Sequence, residues 1–385
     1  MKKNIFLTIG FVILTFFGFF ALAVNRGVTE KGILIGVTTA LTGPYSIQPS
    51  RQLEGTKIYF DKINKSGGIN GRQLTLLAYD DRNDLSLAFE YAQKLAVYDK
   101  VFLFYNLPAT MSIKSLLPLV ADKDIPIIAS SSRDSFFCDP PNRNIFNIRP
   151  SFRDESETII NFLSSKRIKN ISILYQDDAF GQGGQLNLSK AISKRKLTVK
   201  EVASYDRNSL DINQAYISIK KSNPDAIVLW SLGKIGIQFI RLAIKENWNP
   251  IFFLELNQLN AEMIEASKDW TAQVFVALNL PPAETSKLEI AQQYVADSAA
   301  VKMEIEPNRF EGYVNAAVLV ASLKLAGKEL SRKSLRLALN EKMRNLNIGG
   351  LKCEFSTKSR QAFSKSFVAQ LVKGKMSIEP AKVKK

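Results

Sequence analysis

The chain has 385 residues, 46% hydrophobic, 23% charged and 10% aromatic, the balance of folded domains and not of a disordered or collagenous polymer. It contains no histidine, which excludes a Ser-His-Asp triad, a Cys-His pair, histidine-ligated zinc and a histidine general base. A formal charge of +16 would suit nucleic acid, an anionic membrane or an acidic ligand, but the basic residues form only short scattered clusters such as Lys194, Arg195 and Lys196 with no nucleic-acid-binding motif beside them, so no nucleic-acid partner is expected.

After Lys2 and Lys3, Asn4 to Val24 is a nearly unbroken apolar run that ends in Ala21, Leu22 and Ala23. It reads as a secretory signal peptide cleaved after Ala23. The run also matches the ~20 residues that span a bilayer, so an uncleaved inner-membrane anchor over residues 1–24 is the alternative. Either way the body is expected in the periplasm or elsewhere outside the cytoplasm, where Cys138 and Cys353 are able to form one disulfide. The two cysteines match no metal-ligand spacing, and no metal or other cofactor is expected.

From Gly32 onward, short apolar runs alternate with amphipathic segments, the pattern of parallel strands joined by crossover helices. Ile33–Thr39 predicts a strand, Arg51–Lys65 a helix stopped at Ser66, Gly67 and Gly68, Leu74–Tyr79 a strand, and Leu85, Ala88, Ala92 and Leu95 a second helix. Strands follow at Val101–Tyr105 and Ile125–Ala129, with a helix marked by Ile113, Leu116, Leu117 and Val120 between them. After Arg149 and Pro150 the rhythm restarts with strands at Ile171–Tyr175, Ala226–Trp230 and Ile251–Leu254 and a helix over Ile235–Glu246. Beyond Pro281 and Pro282 come long helices at Leu288–Lys302 and Phe310–Ala326, then a short strand pair at Leu351–Phe355 and Phe367–Val372. The fold class is α/β, with two doubly wound lobes.

Several short motifs occur in order along nearly the whole body: Ile35-Gly36-Val37 with Leu41-Thr42-Gly43-Pro44, Gly67-Gly68-Ile69-Asn70-Gly71-Arg72, Tyr79-Asp80-Asp81, Ile125-Pro126-Ile127, Phe180-Gly181-Gln182-Gly183, Asn223-Pro224-Asp225-Ala226, Glu311-Gly312-Tyr313 and Leu325-Ala326-Gly327. In this set the chain resembles the extracytoplasmic solute-binding proteins of the branched-chain amino acid transport family, or type I periplasmic binding proteins. The resemblance implies two α/β lobes joined by three crossing strands, with a ligand cleft between them that closes on a small molecule. Crossings are expected near Ile148–Pro150, Ala277–Pro281 and Asn345–Gly350. Lobe 1 is then 32–149 plus 280–347, and lobe 2 is 150–279 plus 348–385. The implied function is that of an extracytoplasmic component of an ATP-driven (ABC) transporter, which captures an amino acid or related small carboxylate or amide and presents it to an inner-membrane permease. A membrane-tethered ligand sensor with the same cleft is the alternative, and membrane contact is expected only through an uncleaved N-terminal segment. No catalytic constellation is recognisable, and an enzyme is not expected.

Ligands of open α/β sheets bind beyond the carboxyl ends of strands, where helix N-termini present free N–H groups. The loop Asn106–Thr110 has that position, and the resemblance gives Ala109 and Thr110 to the ligand carboxylate; Thr110 also suits a plain helix cap. Ser131 and Ser132 resemble the second ligand loop. Arg133 stands where the family has a small hydroxyl residue, and either pairs with an extra acidic group on the ligand or points to solvent. From lobe 2, Phe180 resembles a family aromatic and Glu255 an acid that holds the ligand ammonium. Gln48 replaces a common aromatic, and Ser231 or Leu232 occupies another aromatic position, departures from ordinary branched-chain amino acid recognition. Gly181-Gln182-Gly183-Gly184 lacks the Lys-Ser/Thr of a phosphate loop, and Asp80 and Asp81 are expected to close a turn.

Overall fold

The computed structural model describes residues 26–379 apart from 139 and 210, so the apolar run Asn4–Val24 lies outside the described residues. The first sheet is parallel and contains β1 (Gly32–Thr39), β2 (Gln73–Asp80), β3 (Leu103–Tyr105), β4 (Ile127–Ile128) and β5 (Ile145–Phe146) in the order β2-β1-β3-β4-β5. Its order reverses between β1 and β3, which opens a crevice at their carboxyl ends. β3 and β4 are shorter than their apolar runs. The carbonyls of Val101 and Phe102 accept from the Arg332 guanidinium at 2.7 and 2.8 Å instead of continuing a ladder, and Ala129, at φ 62°, turns the chain out of β4.

Against one face of this sheet, the Ile47–Lys65 helix crosses the Pro307–Ala326 helix in backbone contact. A Cβ on Gly55 would lie 1.8 Å from the Arg309 carbonyl oxygen, and one on Gly312 would lie 1.9 Å from that of Gln52. Apolar side chains from both helices, among them Leu53, Phe60, Phe310 and Val314, join Ile33, Ile35 and Val37 of β1 in one core.

The second sheet is built from β6 (Asn170–Gln176), β7 (Thr198–Tyr205), β8 (Ala226–Trp230), β9 (Ile251–Leu254) and β10 (Val274–Leu278). A two-strand hairpin, β11 (Asn347–Ile348) with β12 (Leu351–Lys352), stands apart, and β13 (Phe367–Val372) and β14 (Lys375–Ile378) complete the large sheet. Its order, β14-β13-β10-β9-β8-β6-β7, reverses between β6 and β8, so this lobe too has a crevice at carboxyl strand ends. The expected pairing of Leu351–Phe355 with Phe367–Val372 does not form. Gly349 and Gly350, both at positive φ, turn the chain so that β12 pairs back on β11, while β13 runs antiparallel to β10.

Ile148 belongs to the first core and Phe152 to the second lobe, and Ala277 belongs to the second lobe and Leu280 to the first, so the chain passes between the lobes at both points. The third crossing comes later than Asn345–Gly350. Ile348, Cys353, Phe355 and Ala362 all pack in the first core, and by Phe367 the chain has entered the second lobe. The reason is burial, because this stretch carries enough apolar surface to close the first core before it leaves it.

Candidate functional site

A cleft of about 290 Å³ lies between the lobes, lined by Ala40 after β1, Pro108 to Met111 after β3 and Ser131 and Ser132 after β4, and from the other lobe by Gln176, Asp178 and Phe180 at the end of β6, Ser231 to Lys234 after β8 and Asn257 after β9. Every one of these segments follows the carboxyl end of a parallel strand, and the two reversal points face each other across the space. A second hollow of about 30 Å³ near the crossings, bounded by Pro281, Pro282 and Phe310, has room for little more than water.

On the lobe 1 wall, the helix Thr110–Lys123 opens into the cleft with no side chain capping its first turn, so its leading N–H groups are available to a solute. The hydroxyls of Thr110 and Ser132 lie 2.8 Å apart and are both buried; one donates to the other, and the acceptor keeps its own proton. The Ser131 hydroxyl makes only a long 3.5 Å contact with Gln52, while its N–H donates to the Leu107 carbonyl. Gln48 reaches across the gap, where its Nε2 donates to Oδ1 of Asn257 at 3.0 Å. Tyr45 reaches across as well, donating its hydroxyl to the carbonyl of Arg207 at 2.9 Å.

On the lobe 2 wall, Asp178 caps the Ala179–Lys194 helix by accepting from the N–H groups of Phe180 and Gly181. The same carboxylate accepts from Gln176 Nε2 at 2.7 Å and from Arg207 at 3.2 Å. The Tyr205 hydroxyl donates to Gln176 Oε1 and accepts from the N–H of Leu232; burial pushes its ionisation well above the ordinary tyrosine value. The glycines of this helix are packing positions. A Cβ on Gly184 would lie 2.1 Å from the ring of Trp230, on which Phe180 leans with ring centroids 6.1 Å apart.

Seven of the expected site residues, Gln48, Ala109, Thr110, Ser131, Ser132, Phe180 and Ser231, are brought together around the cleft. Arg133 and Glu255 are not among its lining residues, and both have 0% exposure. Arg133 therefore neither meets solvent nor faces the ligand space. Its guanidinium leaves lobe 1 and enters lobe 2, bonding Glu155 and lying 3.6 Å from Glu255 and over the ring of Phe152 at 5.0 Å. Glu155 also accepts from the N–H of Leu256, and Glu255 from that of Asn257. One guanidinium thus serves two buried carboxylates. Desolvation first, then the charge of Glu155, raises the carboxyl of Glu255 from its ordinary 4.5 to about 8, against the opposing pull of Arg133. A second buried pair, Arg149 with Glu311, touches Asn257 and connects through Gln52 to Asn106.

Sequence reasoning missed Tyr45, Asp178, Arg207 and Asn257. Only Asp178 carried a local signal, as an acid directly before a helix start. Asp80 and Asp81 do close turns: Asp80 accepts from the N–H groups of Leu41, Thr42 and Arg82, and Asp81 from Thr38 Oγ1 and the N–H of Asn83. Of the two cysteines read as able to form a disulfide, Cys353 is buried with a free thiol, and the side chain of Cys138 lies outside the described residues.

Two facing α/β lobes, three crossings and a solute-sized cleft at both sheet-reversal points define a ligand-binding protein of the two-lobe class. The chain belongs to the family described as Periplasmic binding protein, whose model matches residues 32–375; this is a family of binding proteins and not of enzymes. Leu/Ile/Val-binding protein homolog 7 of Brucella suis biovar 1 (strain 1330) is 18% identical over 239 residues, 60% of each chain. The match thus spans about three fifths of the length of that curated relative. Among solved structures, a branched-chain amino acid ABC transporter protein from Thermus thermophilus with bound valine superposes with a TM-score of 0.81 at 15% identity, over 91% of this chain and 96% of that one. A fatty acid ABC transporter substrate-binding protein from Thermomonospora curvata gives 0.82 at 18% identity, over 92% of both chains. These likenesses show the fold. Among the described residues, no helix is long and apolar enough to cross a membrane.

Proposed function

We propose that this protein captures a small carboxylate-bearing solute by closing its lobes on it outside the cytoplasm and hands it to an inner-membrane ABC permease. The observation that carries the reading is the cleft itself. About 290 Å³ of space is lined by donors at carboxyl strand ends and spanned by two cross-lobe hydrogen bonds, Gln48 to Asn257 and Tyr45 to Arg207. Such bonds form only when the lobes are together, so the arrangement suits hinge closure around a ligand. In this reading Thr110, Ser131, Ser132 and the N–H groups of the first turn of the Thr110–Lys123 helix hold the solute carboxylate. Family membership and relatives that bind valine or a fatty acid support transport of a small acid.

A thermal-shift screen of amino acids, amides, dicarboxylates, aromatic acids and aliphatic acids tests it, because a ligand that binds only the folded state raises Tm. At least one small acid is expected to raise Tm, to compact the protein in solution scattering, and to bind less well to Thr110→Ala. A screen without a single shift counts against solute capture.

A further inference from the structure

Resting on the reading of the cleft as the solute site, we infer that it takes acids with an apolar body and no α-ammonium group, such as 2-oxo acids or plain aliphatic and aryl carboxylates. A cation shut into a closed cleft needs an anionic partner, because an unpaired buried charge is far more costly than an unpaired hydrogen bond. Among the described residues, each carboxylate at this cleft is engaged, buried behind its wall or open to solvent. Asp178 faces it but holds two helix N–H groups, the Gln176 amide and the Arg207 guanidinium. Glu255 lies behind the wall with 0% exposure, beside Arg133 and the Asn257 N–H. Glu262 is a lining residue but is exposed to water, which screens its charge.

The aromatic faces are engaged too. The Tyr45 ring carries the Arg207 guanidinium at 5.3 Å, and Phe180 packs against Phe152 and Trp230. Donors, by contrast, remain available. The Thr110–Ser132 hydroxyl pair, both members more than nine-tenths buried, retains one proton beyond their mutual bond, and the Ser131 hydroxyl is held only by a 3.5 Å contact. Lys234 adds a cationic side chain to the lining, and Ile47, Pro108, Met111 and Leu232 supply apolar wall. The cleft is therefore matched to one carboxylate and an apolar body, with no buried, unengaged counter-charge for an amine among the described residues.

Calorimetric titration of the intact protein at pH 7 with three matched pairs tests this: leucine against 4-methyl-2-oxopentanoate, phenylalanine against 3-phenylpropionate, and valine against 3-methylbutanoate. In every pair that binds, the amine-free acid is expected to bind at least about tenfold more tightly, the equivalent of ~1.4 kcal/mol. An amino acid that binds as tightly as its amine-free partner, or more tightly, overturns the inference. So does silence from all six probes when the wider screen finds a solute without a carboxylate; that result leaves solute capture standing. Silence from the probes and the whole screen overturns capture and the inference together.

Discussion

Nε2 of Gln48 and Oδ1 of Asn257 meet at 3.0 Å although one residue belongs to lobe 1 and the other to lobe 2. Asn257 is held in place by the buried Arg149 guanidinium, so the contact is a clasp between two positioned groups. Gln48→Ala removes one neutral hydrogen bond that exists only in the closed form, about 0.5–1.5 kcal/mol. Solute affinity is expected to fall about two- to tenfold, read by calorimetry, while the Tm of the solute-free protein holds.

Arg133→Met leaves Glu155 and Glu255 buried without their shared guanidinium. Breaking a buried ion cluster from one side costs roughly 3–5 kcal/mol, and chemical denaturation is expected to show a loss of that size at pH 8. Without the opposing pull of Arg133 the Glu255 carboxyl is raised further, so its protonation at pH 5 restores part of the loss. Equal destabilisation at both pH values would argue against buried, unpaired carboxylates as its cause.

The Glu255 carboxyl is raised on folding, from an ordinary 4.5 to about 8, by burial and by the charge of Glu155. A group whose folded pKa lies above its unfolded one binds a proton on folding. Its stabilising effect is complete below 4.5 and is lost as pH rises towards about 8. The wild-type Tm is therefore expected to decline between pH 5 and 9, and Glu255→Gln, neutral throughout, to flatten that decline. Parallel curves for the two proteins would locate the pH dependence elsewhere.

Cys353 is buried and its thiol is pushed up to about 12, chiefly by desolvation. The thiolate is the reactive form, so in Cys138→Ser protein a thiol reagent is expected to react in denaturant and hardly at all under native conditions. Fast native labelling would show that the core around Cys353 opens readily.

The fold was legible wherever burial was strong and local. Ala226–Trp230 and Ile251–Leu254 are unbroken apolar runs, and both strands occupy those residues. β7 went unread because Thr198–Tyr205 is a half-exposed edge strand whose polar residues resemble a loop. In the site, Thr110, Ser131 and Ser231 could be placed because each follows a strand. Arg133 and Glu255 could not, since an arginine that crosses from one lobe into a carboxylate pair of the other leaves no periodic trace in either segment. Tyr45 and Asn257 are ordinary loop residues until the lobes meet.

The crossing of Arg133 into lobe 2 also bears on how this cleft can change over generations. A replacement of Arg133 alone strands two buried carboxyl groups, and a replacement of Glu155 alone leaves the buried guanidinium without its direct partner. Each single step passes through a less stable protein, in a molecule whose margin is of the order of 5–15 kcal/mol. Exposing Glu255 to receive an amine would therefore require coordinated substitutions in three separate segments. Variation at Gln48, Ser231 or Leu232 on the cleft surface carries no such coupling to the buried cluster, so the size and polarity of the accepted side chain are freer to drift than the charge of its head group.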